Sequence, residues 1–140
     1  MIRSINGVGG QSRQLADIAE ALRIPEQPPL ISTQRYLNNA VIKRKAETFK
    51  VFLVRVHECT LRGKRYRFLM DGHHNYAAAK LRGVEPTFTT PGAKFLRHLN
   101  KMTPRQQEAF FINNLTDCPH YYVETGEIVA ELEAPMELSQ

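Results

Sequence analysis

The spacing of apolar and polar positions divides the chain into segments of different period. Leu15, Ile18, Ala19 and Leu22 recur at i, i+3, i+4 and i+7 between Arg13 and Arg23, which predicts an amphipathic helix with Ser12 as its N-cap. The glycine-rich residues 1–12 are predicted irregular. Pro25, Pro28 and Pro29 stop the helix and predict an extended connector. Leu30-Ile31 is a short apolar pair that begins a strand at most, because Ser32-Thr33-Gln34 does not extend it. Tyr36, Leu37, Ala40, Val41 and Arg44-Lys45 then suit a helix running to Phe49.

The period changes after that. Residues 50–57 are dense in β-branched and aromatic side chains and predict a buried strand. Residues 65–70 predict a second, with Tyr66, Phe68 and Met70 on one face and Arg65 and Arg67 on the other. Leu61-Arg62-Gly63-Lys64 supplies turn chemistry between them, so the two strands are predicted to form a hairpin. The second strand runs into Asp71-Gly72-His73-His74-Asn75. Tyr76 to Arg82 follow, where three alanines favour helix and Gly83 sits where a glycine would end it. Val84 to Phe88 reads as a short returning strand, interrupted by Pro86 and therefore placed at a sheet edge.

Helices are predicted at 92–100 and 104–115. Thr103 is the N-cap of the second, Pro104 takes its first position and Gln106 completes a capping box. Residues 121–123 and 127–129 flank Glu124-Thr125-Gly126 and read as a hairpin, and the chain from Pro135 is predicted frayed. These elements describe a mixed α/β (α+β) fold. It has a small mixed sheet with helices packed on it and a C-terminal helical and hairpin extension. Residues 1–140 are read as one domain, with a core over about 30–90 and the extension over 91–140.

Composition changes this picture little. No apolar run approaches the roughly 20 residues of a membrane helix, and the N-terminus lacks the apolar stretch of a secretory signal, so a cytoplasmic protein is expected. Cys59 and Cys118 form no metal-binding or redox pair and read as ordinary thiols. Charge matters more. The net charge is +5, and much of the excess falls between residues 35 and 67, where Arg35, Lys43, Arg44, Arg65 and Arg67 are candidate nucleic-acid contacts. Acids collect toward the C-terminus, among them Glu124, Glu127, Glu131, Glu133 and Glu137. One end of the chain would then face phosphate while the other repels it. Solvated strand and loop faces are the alternative.

The informative chemistry is a strand, then Asp-Gly-His-His, then a helix. Gly72 permits a sharp exit from the strand. The first turn of the following helix leaves backbone N–H groups unpaired at the positive end of its dipole, which makes an anion site. His73 and His74 can donate hydrogen bonds to phosphate or exchange a proton near neutral pH. Asp71 can orient an imidazole or hold Mg²⁺. Each residue also has a plainer role. One histidine can point into the sheet as a buried, satisfied side chain, Asp71 can cap the helix, and Gly72 can be only a turn glycine. Two adjacent histidines are a weak zinc signal, since zinc needs three or four protein ligands.

Asp71-Gly72-His73-His74-Asn75-Tyr76-Ala77-Ala78-Ala79-Lys80-Leu81-Arg82-Gly83 resembles the DGHHR-x-AA-x-x-x-x-G segment of ParB/sulfiredoxin-like domains. Upstream, Thr33-Gln34, Val41 and Lys45 resemble the TQ…V..K pattern of ParB-like nucleases. The resemblance covers roughly residues 30–90. It implies a ParB/sulfiredoxin-type fold in which this strand–turn–helix forms a nucleotide-phosphate pocket. Members of that superfamily bind CTP and clamp DNA, use ATP to repair an oxidised cysteine, phosphorylate free serine, or are described as nucleases. Two departures narrow the list. Sulfiredoxins carry a cysteine where His73 stands, so that activity is not expected. The C-terminal 92–140 is too short for the helical region of a partition clamp. The arginine usual after the histidine pair is Asn75 here, which can hydrogen-bond phosphate without charge, with Lys45 as a compensating cation.

Two functions follow as expectations. In the first, the chain is an enzyme of phosphate chemistry, a nuclease or an NTP-dependent phosphotransferase or hydrolase, with Mg²⁺ and ATP or CTP as implied cofactors. Asp71 would hold metal or orient His73. His74, Gly72 and Asn75 would hold phosphate, Lys45 and Gln34 would complete the pocket, and Glu47 would be an upstream general base. In the second, the same pocket belongs to a non-catalytic module of a phage or mobile element that binds nucleotide, DNA or a protein partner, its own second copy included.

Overall fold

The computed structural model describes residues 27–138. The helix expected over 13–23, its cap Ser12 and the Pro25 stop lie outside them. Ten residues form the first helix among the described residues, α1 (Asn39–Thr48), which follows a three-residue strand, β1 (Leu30–Ser32). Strands β2 (Leu53–Leu61) and β3 (Lys64–Asp71) come next, then α2 (His73–Arg82) and the short β4 (Thr87–Thr89). Helices α3 (Ala93–Asn100) and α4 (Pro104–Asn113), strand β5 (Tyr121–Tyr122) and a 3₁₀ turn (Ala130–Leu132) complete the order.

The strands make one mixed five-stranded sheet in the order β4-β2-β3-β1-β5. β2 and β3 pair antiparallel through the two-residue turn Arg62-Gly63, both at positive φ, which suits the twist of a hairpin. β1 lies parallel to β3, β4 parallel to β2, and β5 antiparallel to β1. β4 takes the edge expected of a strand entered through Pro86.

Both faces of the sheet are covered. On one, Ile31, Leu61, Tyr66 and Phe68 pack against Leu99 of α3, Phe111 and Ile112 of α4, and Val129 and Leu132. On the other, Leu30, Val54 and Leu69 meet Tyr76 of α2. Phe52, Ala78 and Ala79 join α2 to Ile42 and Ala46 of α1, where the small alanines allow close helix approach. The capping box at Thr103 and Gln106 forms as expected, its two hydrogen bonds 2.9 and 3.1 Å long.

Several expectations are corrected. The strand expected over 50–57 begins at Leu53 and runs to Leu61, because Lys50 to Phe52 leave α1 and only Phe52 is buried. α2 starts three residues before Tyr76, since Gly72 turns the chain and His73 is already helical. α4 ends at Asn113, whose side-chain amide clasps the backbone of Met136 through both its oxygen and its nitrogen. That clasp also ties down a C-terminus expected to fray, aided by Arg105 on the Glu137 carbonyl. The expected 121–129 hairpin forms in short form, with a bridge from Tyr121 to Ile128 and the Tyr122 N–H on the Glu127 carbonyl at 2.8 Å, while the other edge of Tyr121-Tyr122 pairs with β1.

The two charge blocks meet at Glu131. The chain turns back, so that Lys64 pairs with Glu131 at 3.3 Å while the Arg62 amide donates to Glu108 and its guanidinium to the Glu131 carbonyl. Among the described residues no helix is long and apolar enough to cross a membrane. Both cysteines are free, and burial pushes the Cys59 thiol up to about 12.

Candidate functional site

The end of β3 is shaped by an irregularity. Arg55 pairs with Asp71 while the next residue, Val56, pairs with Leu69, so Met70 is the extra residue of a bulge. The chain then leaves the sheet at Gly72, at φ 92° and ψ 27°. A Cβ at that position would stand 2.6 Å from the Leu53 carbonyl oxygen and 3.0 Å from Val54 Cα. Only glycine fits, both for its conformation and for its contact with β2.

α2 begins immediately. Tyr76 N–H bonds back to the Gly72 carbonyl at 2.8 Å, which leaves the N–H groups of His73, His74 and Asn75 without helical acceptors. These three residues line a cavity of about 400 Å³. Asp71 to Asn75 form one wall, and Lys45 of α1, Arg55 of β2 and Gln34 form the others. The Arg55 guanidinium is steadied by the Thr90 carbonyl at 3.0 Å.

His73 points inward. Its Nε2 lies 2.7 Å from the hydroxyl oxygen of Ser32, a fully buried residue whose oxygen also accepts the Gln34 N–H at 3.1 Å. Burial drives the His73 pKa below the ordinary imidazole value, and the nearby Asp71 carboxylate offsets part of that. The ring is therefore neutral at pH 7. Asp71 acts on it through its field, while its own Oδ1 accepts the Gly72 N–H at 2.8 Å.

His74 and Asn75 are committed to the fold. His74 Nε2 accepts the Asn38 N–H at 3.1 Å, and Asn38 is the cap of α1, whose side chain accepts from Ala40 and Val41. Asn75 donates from Nδ2 to the Leu53 carbonyl at 2.8 Å and accepts from Lys45 Nζ at 2.7 Å. It thus joins α2 to β2 and holds the Lys45 ammonium at the cavity, 5.1 Å over the Phe49 ring.

The expected site residues divide accordingly. Asp71, Gly72, His73, His74, Asn75, Lys45 and Gln34 come together around the cavity. Glu47 does not. It lies two positions beyond Lys45, about 200° around the helix, exposed and outside the cavity lining. Three of the five candidate nucleic-acid cations are engaged within the fold. Arg35 stacks 4.0 Å over Tyr121, Arg65 pairs with Glu58 at 2.8 Å, and Arg67 donates to the Pro28 carbonyl at 2.7 Å. Lys43 and Arg44 are exposed on α1. Among the described residues no three His, Cys, Asp or Glu side chains converge as metal ligands.

Ser32, Asn38, Arg55 and the Leu53 carbonyl belong to the site and were not foreseen. Ser32 had one sequence signal, a polar residue directly after an apolar pair. Arg55 had another, a cation between Val54 and Val56 in a strand otherwise apolar. No family model, no curated protein and no solved structure matches this chain.

Proposed function

We propose that this chain binds the phosphate groups of a nucleotide or nucleic acid at the Gly72 turn and carries out phosphate chemistry on them, as a nuclease or an NTP-dependent phosphotransferase or hydrolase. The observation that carries this reading is the convergence of the first turn of α2 with Lys45 and Arg55 on one cavity, with Asp71 the only carboxylate in its wall among the described residues. The likeness of Asp71–Gly83 to the ParB/sulfiredoxin segment supports the same reading and the same superfamily.

Within it, the amides and the two cations hold phosphate oxygens and stabilise charge that builds on them. His73, neutral and oriented by Ser32, accepts a proton from an attacking hydroxyl or water. Asp71 is an exposed hard oxygen donor at the rim, which suits Mg²⁺ shared with ligand phosphates and water. The ion would neutralise phosphate charge there.

A second reading, a non-catalytic module that binds nucleotide, DNA or a protein partner, is favoured by one observation. The Nε2 atom of His74 and both ends of the Asn75 amide are used inside the fold, which leaves His73 as the one imidazole of the pair free of a backbone partner. Calorimetric titration with ATP, CTP, GTP and a short DNA duplex in Mg²⁺, with product analysis of the same samples, separates the two. Binding that Lys45→Met weakens supports the phosphate site. A product identifies an enzyme, and binding without product a module. No binding of any of these ligands overturns the phosphate site and leaves only a module that binds a protein partner.

A further inference from the structure

A second cavity, of about 240 Å³, lies behind the phosphate cavity, and Gln34, Met70 and His73 line both. Its remaining walls come largely from α4 and the residues after it, a part of the chain outside the 30–90 segment to which the phosphate turn belongs. Phe68, Phe110 and Phe111 form an aromatic wall. Phe68 and Phe111 have centroids 5.3 Å apart, and Phe110 meets Phe111 edge-on at 5.1 Å. Leu115 stands at the cavity, half exposed.

The polar groups are few. Gln34 and Asn114 both line this space, and neither side-chain amide has a hydrogen-bond partner among the described residues. Each carries a donor and an acceptor. Aromatic rings for stacking together with paired donors and acceptors are the features by which a protein holds a flat heteroaromatic ring. The Thr33 and Thr116 hydroxyls satisfy each other at 3.2 Å and so close the polar side of the wall.

We propose that this second cavity receives the base of a nucleotide whose phosphates lie at the Gly72 turn, so that α4 and residues 114–116 supply the specificity half of the site. The inference rests on the phosphate reading and names its ligand class: a nucleotide rather than free phosphate or a polyphosphate. Gln34, Met70 and His73 line both chambers, which sets the second directly beside the first.

The test is a calorimetric titration of the full chain with ATP, CTP, GTP and inorganic triphosphate in Mg²⁺, repeated on Leu115→Trp and Asn114→Ala. Both substitutions fall at exposed positions, so the fold is retained. At least one nucleotide is expected to bind about tenfold more tightly than triphosphate, and the preference to fall to within about twofold in both variants, while triphosphate affinity stays unchanged. Equal affinity of the native chain for triphosphate and every nucleotide overturns the base cavity and leaves the phosphate site standing. A preference that survives both substitutions also overturns it. Absence of binding by all four ligands removes the phosphate reading, and this inference with it.

Discussion

The hydroxyl of Ser32 and Nε2 of His73, separated by 41 residues in sequence, lie 2.7 Å apart. Ser32 ends β1 and His73 opens α2, so one hydrogen bond joins the strand that completes the sheet to the helix that faces the cavity. Because Ser32 is fully buried, its hydroxyl cannot turn to water in place of the ring. Ser32→Ala removes this partner and also the acceptor of the Gln34 N–H. The expected loss is about 1–2 kcal/mol in urea denaturation, the usual consequence of leaving buried polar groups unpaired. The His73 ring resonances should move toward a mixed tautomer by nitrogen-detected NMR. Unchanged His73 resonances would show that the ring is held by other contacts.

Gly72 and Gly83 flank the same helix at similar positive φ, 92° and 78°, but their surroundings differ. A Cβ at Gly83 meets nothing within 4 Å, whereas one at Gly72 would strike the β2 backbone. Gly83→Ala should therefore cost only the left-handed conformation, about 1 kcal/mol. Gly72→Ala adds a collision with backbone that has no side chain to move aside, and about 3 kcal/mol or more is expected. Thermal unfolding of the two variants beside the native chain gives the comparison. Equal losses would mean that β2 yields at Leu53.

What was legible in the sequence is what is decided locally. The Arg62-Gly63 turn, the capping box at Thr103 and the helix stop at Gly83 each depend on residues within a few positions of one another, and all three formed as the sequence indicated. The cavity was legible only in part. The Asp-Gly-His-His turn marks its floor, but the alanine run signals helix only from Tyr76, whereas α2 begins at His73. Contacts across the fold decide otherwise. Asn75 is anchored on Leu53, 22 residues away, and His74 on Asn38, 36 away. Parallel pairing of β1 with β3 has no sequence signature either, so a buried serine at the end of β1 looked like a loop residue. Position along the chain likewise says nothing of where Glu131 returns to Lys64.

Burial lowers the pKa of three histidines, His57, His73 and His120. For His57 and His120 a cation adds to the effect, Arg65 and Arg62 respectively. The unfolded chain therefore takes up protons before the folded one as pH falls, so the stability is full above the ordinary histidine value of about 6.5 and declines below it. The urea midpoint should drop between pH 7.5 and pH 5.5. His120 is the sharpest case. It is buried, its Nε2 lies 2.7 Å from the Phe111 carbonyl, and its Nδ1 has no partner among the described residues. His120→Gln keeps an N–H for Phe111 and cannot titrate, so it should flatten the pH dependence. A midpoint independent of pH in the native chain would contradict the burial of these rings.

Lys45 and Asn75 decide how much positive charge the phosphate cavity presents. The 2.7 Å contact between them is charge-assisted on one side only, so it orients the ammonium without neutralising it. Lys45→Met keeps most of the apolar stem against Phe49 and removes the charge, so stability should change little while phosphate affinity falls about tenfold or more. Asn75→Asp makes the opposite change at the partner. The new carboxylate would pair with Lys45 and lose the donor to the Leu53 carbonyl, leaving that oxygen without its side-chain partner. Two effects are then expected together, a loss of about 1–2 kcal/mol in urea denaturation and weaker phosphate binding that high salt does not restore. Calorimetry with inorganic triphosphate at two salt concentrations reads the second effect. Triphosphate affinity that is the same in Lys45→Met, Asn75→Asp and the native chain would mean that the α2 amides and Arg55 alone hold the anion and that Lys45 serves only to join the two helices.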